Sequence, residues 1–166
     1  VEHTKSIGGA FYLYNPGRNE LCLSELYGLE VDNVKKVIGM GEGIAGAVAD
    51  SLQARKITNI PKESAHRTNG LSGDLTARSL YAFPISFQNR LLGVMELANL
   101  NDFSLWVENY CGDFANYFSI ALSNSFSFEQ SKKLTEDLQR REEELEGQNE
   151  ELKSTTDELR KTQNQL

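Results

Sequence analysis

Few side chains in this sequence have the type and spacing to do chemistry, and most of them fall in one polar stretch, residues 62–78. His66 and Arg67 stand side by side there, and Arg78 closes it. Two guanidiniums flanking a segment could clamp a carboxylate or phosphate, since the arginine fork matches both anions. His66 could bind an anionic ligand or a haem iron, or stand solvated with no role. Just beyond, Tyr81 and Phe83 alternate on one strand face as an apolar floor or as core. Glu96 interrupts an apolar run, either as a pocket acid or as an edge-facing charge. The stretch between the arginines has Gly70 and Gly73 and no periodicity, so it is expected to be a long loop or lid. A concave site needs a rigid wall and a movable cover, which places a ligand between the strands and this lid.

Other chemistry lacks its residues. No Ser-His-Asp set, shared-loop pair of acids or metal-ligand spacing occurs. Cys22 and Cys111 are expected to be buried thiols of a reducing compartment rather than a disulfide framework. Gly41-Glu-Gly43-Ile-Ala-Gly46 matches the dinucleotide fingerprint G-x-G-x-x-G, but the parallel βαβ unit and the following ribose-binding acid are missing. The better reading is structural: Gly41 and Gly43 permit a sharp turn into a helix, and Gly46 lets that helix lie close on a sheet. The net charge of −7 disfavours nucleic acid and anionic membrane as partners. No apolar run approaches the roughly 18 residues that span a bilayer, and no signal-like start is visible, so a cytoplasmic location is expected.

The elements that must position these residues follow from pattern. Residues 7–14 and 21–27 read as a hairpin around the Asn15-Pro16-Gly17 turn, and residues 34–38 as a short apolar run. Residues 42–52 have helical spacing, and 56–60 form a short strand. Residues 79–87 and 91–100 form the clearest hairpin. Ser104 then caps a helix with an apolar stripe of Val107, Cys111, Phe114, Phe118, Ala121 and Leu122, and a second face of Tyr110, Tyr117 and Phe126. The order predicts an α+β domain with an antiparallel sheet carrying helices. At the far end Leu138, Leu145, Leu152, Leu159 and Leu166 recur every seven residues among charged and amide side chains, the signature of a coiled coil. With leucine at d, position a holds Thr135, Glu142, Asn149, Thr156 and Gln163; with leucine at a, position d holds Leu134, Arg141, Gln148, Thr155 and Thr162. Either seam is half polar, and Asn149 at a would fix the register of a parallel pair. A homodimer is expected through Tyr110, Tyr117, the leucines and Asn149.

Taken in order, Gly41–Gly46, Lys56-Ile-Thr-Asn-Ile-Pro61, Arg78-Ser-Leu-Tyr-Ala-Phe-Pro-Ile85, Leu92-Gly-Val-Met-Glu-Leu97 and Asp102-Phe-Ser104 before a long helix resemble a GAF domain. The tail resembles the linker helix of bacterial sensor histidine kinases. The resemblance implies a six-stranded antiparallel sheet with flanking helices, at residues 1–128 and short of the family's first helix, and a parallel coiled-coil signalling helix at 129–166. It implies a non-enzymatic input module that binds a small molecule and reports through a dimeric helix to a histidine kinase. The alternatives are a nucleotide cyclase or transcription activator as output, or a dimerisation module without ligand. No cofactor is named by the residues. Covalent bilin is not expected, because the lid lacks cysteine; haem is not expected either, and the thiols needed for methionine sulfoxide reduction are absent from the lid.

Overall fold

Near-continuous apolar runs make the two longest strands, residues 79–87 and 90–99, which are buried on both faces, and glycine or asparagine at positive φ ends or turns strands. A computed structural model describes residues 4–29, 34–61, 67–70 and 73–163. Its elements are β1 (Gly8–Asn15), β2 (Glu20–Tyr27), β3 (Val37–Gly39), α1 (Gly43–Ser51), β4 (Arg55–Ile57), β5 (Arg67–Gly70), β6 (Gly73–Thr76), β7 (Ser79–Phe87), β8 (Arg90–Asn99) and α2 (Leu105–Gln163). Six strands form one sheet in the order β3-β2-β1-β8-β7-β4, with every pairing antiparallel. The fold is α+β, as the sequence predicts.

The two faces of this sheet pack differently. On one, Tyr12, Leu21, Ile38, Ala82 and Val94 meet Ala45, Val48 and Ala49 of α1. On the other, Phe11, Tyr81, Phe83, Ile85 and Leu97 meet Phe103 and the α2 residues Val107, Cys111 and Ala115. Phe11 meets Phe118 edge-on at 5.3 Å, and Tyr81 lies 5.7 Å from Phe103. The buried stripe of α2 runs through Ala115 rather than Phe114, which is partly exposed and stacks on Phe118 at 5.3 Å. Ser104 caps the helix as expected, its Oγ accepting from the Val107 N–H at 3.5 Å.

Three elements depart from the sequence reading. Residues 67–70 and 73–76 are not loop but a two-stranded ribbon, β5 with β6, in which Gly70 pairs with Gly73. A ribbon held by its own backbone ladder needs no apolar alternation, so nothing in the side chains announced it. The strand expected at 56–60 stops at Ile57, and Asn59 adopts φ 56°, which no strand tolerates. The apolar run 34–38 contributes a strand only from Val37.

The β7–β8 turn is two residues long, with Gln88 at φ 50° and Asn89 at φ 63°. Both positive values mark the primed hairpin turn that fits strand twist. Glutamine bears the left-handed penalty without a local hydrogen bond to offset it. Gln88→Gly is expected to stabilise the domain by roughly 0.5–1 kcal/mol in urea unfolding, net of the extra freedom of the unfolded chain.

Cys111 is buried between α2 and the sheet, and burial above all, with the Glu108 carboxylate adding, pushes its thiol up to about 11. The unfolded thiol ionises near pH 8.5. Its contribution is therefore complete below that pH and is lost as pH rises through 11. Unfolding free energy should fall by about 3 kcal/mol across this window, and Cys111→Ala should flatten that part of the profile.

Backbone contacts divide the chain into two units, Val1–Ser123 and Asn124–Leu166. In the second, α2 is helical to Gln163 and Leu134, Leu138, Leu145 and Leu152 are exposed. Arg140 pairs with Asp137 at 2.6 Å, one turn back. Leu166 and the side chain of Leu159 lie outside the described residues.

Candidate ligand cavity

The glycine motif builds one wall of a cavity. Gly41 has φ 77° and Gly43 φ 62°, and an added Cβ at either would meet nothing within 4 Å, so these two serve the turn. Gly46 serves packing: a Cβ there would lie 2.3 Å from the carbonyl oxygen of Gly39. The Gly41 N–H donates to the Gly46 carbonyl at 2.9 Å, and the Glu42 N–H donates to the Gly39 carbonyl at 3.1 Å. The Glu42 carboxylate folds back to accept from the Gly39 N–H at 2.9 Å and from the Lys35 ammonium. The Lys35 hydrogen bond, then that of Gly39, holds the Glu42 carboxyl below the usual range.

Between this turn of α1 and the sheet lies a cavity of about 470 Å³, within the ~300–1,000 Å³ usual for ligand sites. Its walls are apolar, with Ala10, Ile44, Leu80 and Ala98 among them, and its polar side chains are Tyr12, Lys35, Glu42 and Glu96. Glu96 stands on β8, which is flanked by β1 and β7, so it is not an edge charge. Ala10 and Ala82 are its two cross-strand partners. Tyr12 is 2 % exposed. Burial first, and then the Glu96 charge, raises the phenol far above its ordinary value, so it stays protonated.

Of the residues singled out from sequence that the structure describes with their side chains, it brings Glu96 alone to this cavity. Tyr81 and Phe83 belong to the core under α2, on the opposite sheet face. Successive strand residues alternate faces, so on this strand the floor passes to Leu80, one position away. Arg78 is exposed and does not line the cavity; its N–H donates to the Asn99 carbonyl at 2.8 Å, and its carbonyl accepts from the Ile60 N–H. Arg67 opens β5, its side chain undescribed, and His66 lies outside the described residues. Tyr12, Lys35 and Glu42 were not foreseen as site residues. The cysteines line no part of the cavity: Cys111 sits in the α2 core, and Cys22 on β2 is half-buried, 3.9 Å from the Glu20 carboxylate.

The sequence profile of the GAF domain matches residues 1–123. The chain belongs to the GAF domain family. A GAF domain from a phosphoenolpyruvate-protein phosphotransferase of Coxiella burnetii superposes with a TM-score of 0.61 at 20% identity, over 74% of each chain. The second GAF domain of DevS from Mycobacterium smegmatis gives 0.60 at 12% identity, over 75% of this chain and 86% of that one. A type II free methionine-R-sulfoxide reductase from Thermoplasma acidophilum gives 0.55 at 16% identity, over 72% and 81%. A search of curated proteins found no match. At these identities the likeness is one of fold. As a GAF domain the chain is a sensory or regulatory module. Among the described residues, no helix is long and apolar enough to cross a membrane.

Proposed function

We propose that this GAF domain is the cytoplasmic input module of a sensor histidine kinase, taking a small ligand in the cavity under α1 and reporting through α2 as a parallel homodimer. The observation that carries this reading is the two-faced sheet: a cavity on one face and the start of α2 packed on the other. β4 joins them. Ile57 lines the cavity, and its neighbour Lys56 bonds the Phe103 carbonyl at 3.4 Å and the Glu108 carboxylate in the first turn of α2. A three-residue strand paired only with β7 can shift at small cost, and its displacement by a ligand reaches Glu108. The outer surface of α2 in this unit carries exposed aromatics, Trp106 stacked on Tyr110 at 5.6 Å and Tyr117 beyond, which a second copy would cover.

A fragment screen by native mass spectrometry, followed by hydrogen exchange, tests this. A cavity ligand is expected to protect residues 43–48 and 94–98 and to change exchange in residues 105–111. In Lys56→Met the cavity protection should persist while the α2 change is lost. Stability should drop by less than about 1 kcal/mol, since the Lys56–Glu108 pair is partly solvated. A bound fragment that leaves α2 exchange unchanged in the native protein would count against the reading.

A further inference from the structure

We propose that the cavity selects a small primary-amine cation with an apolar body, its ammonium seated on the Glu96 carboxylate and the Tyr12 phenol. The inference rests on the ligand-cavity reading above and names its ligand class. Three observations converge. The first is the position of Glu96. A carboxylate on an inner strand, in a wall otherwise of alanine, isoleucine and leucine, is costly to keep unless its lone pairs are used. Glu96 makes interactions of its own, and a carboxylate, with about four acceptor positions, can be shared by more than one donor.

The second is the space around it. The residues directly across from Glu96 on both neighbouring strands are alanines, Ala10 and Ala82. Longer side chains there would fill the volume beside the carboxylate. Ala10 and Ala98 themselves line the cavity.

The third is Tyr12, two positions from Ala10 along β1. It is almost wholly buried and lines the cavity, yet its hydroxyl makes no hydrogen bond among the described residues. A phenol of this kind offers an ammonium a lone pair and a ring face, and cation–π contact strengthens when the cation is desolvated. Its elevated pKa, partly from Glu96, agrees with a negative field in that part of the cavity. The cation in the lining, Lys35, is held by Glu42 and so is poorly placed to attract an anion. The anionic ligand that the sequence suggested rested on His66, Arg67 and Arg78; Arg78 does not line the cavity, and His66 and the Arg67 side chain lie outside what the structure describes.

The experiment uses matched probes: 2-phenylethylamine, the neutral 2-phenylethanol and the acid 3-phenylpropanoate, each titrated into the 166-residue chain at pH 7 by calorimetry and ligand-observed NMR. The amine should bind at least tenfold more tightly than the alcohol, and the acid should not bind measurably. Glu96→Gln should erase the amine's advantage while alcohol binding persists, which shows that the cavity is still formed. Tyr12→Phe keeps the ring and removes an oxygen that bonds no partner among the described residues, so it should fold normally and weaken the amine two- to fivefold without affecting the alcohol. Equal affinity for amine and alcohol, or an advantage that survives Glu96→Gln, would overturn the amine assignment and leave the ligand-cavity reading standing. Tightest binding by the acid would do the same. No binding by any of the three would overturn both.

Discussion

Replacing Gly46 with alanine is expected to cost about 3 kcal/mol, the upper end of what an extra methyl costs in a packed interior. The added carbon would lie 2.3 Å from the Gly39 carbonyl oxygen and 3.2 Å from the backbone of Gly41. Both obstacles are main chain, so no rotamer change relieves them. The only escape is for α1 to lift from β3, which breaks the Gly41–Gly46 hydrogen bond and opens the cavity wall. Gly41→Ala and Gly43→Ala meet no atoms but must hold positive φ, so each should cost about 1–2 kcal/mol. Urea unfolding of the three variants checks the order. In a phosphate-binding loop the expected pattern is different: substitution at the glycines touching the ligand would remove binding and leave stability of the free protein nearly unchanged. Equal, small losses at all three positions would contradict the packing role of Gly46.

The framework of the sheet was legible because its longest strands are near-continuous apolar runs bounded by turn residues, and the structural reading of the glycine motif was legible because a dinucleotide fold needs residues this chain lacks. The cavity was harder to see. Tyr81 and Phe83 are among the bulkiest residues on their strand, but bulk marks the filled face of a sheet. The complementary positions carried the signal. Ala10, Ala82 and Ala98 share one face with Glu96, while Phe11, Tyr81, Phe83 and Leu97 occupy the other. A face lined by alanines beneath a helix of small residues leaves volume, and a charge placed in that volume is a pocket acid. Lys35 and Glu42 could not be found this way, because their place depends on a turn that brings positions seven apart together. The β5–β6 ribbon escaped for a different reason: its composition is that of a loop, and backbone pairing leaves no mark on composition.

The second large effect concerns pairing through α2. Under the proposed parallel dimer, Leu138→Lys, Leu145→Lys and Leu152→Lys together should convert the chain from dimer to monomer at tens of micromolar, a range set by affinities of weak association. These leucines are 58 %, 61 % and 64 % exposed in the single chain. A surface helix that supports itself gains nothing from apolar residues held in water, whereas a paired one gains ~1.5–3 kcal/mol for each leucine it buries fully. The seam is thin, because the positions between the leucines include Glu142 and Asn149 or Arg141 and Gln148. The three leucines therefore supply much of the association energy of this segment, and lysine at each also sets like charges against one another across the two-fold axis. A dissociation constant raised at least 100-fold, or about 2.8 kcal/mol, is expected. Helicity of residues 124–163 should fall with it, since a polar helix of this length gets little stability from propensity alone. Tyr117→Glu, on the segment of α2 that packs against the sheet, should weaken pairing by a smaller factor and leave the domain folded, because Tyr117 is 77 % exposed. Sedimentation equilibrium of the native chain and the triple variant decides the matter. Identical masses for the two, monomer or dimer, would remove the leucine seam from the interface.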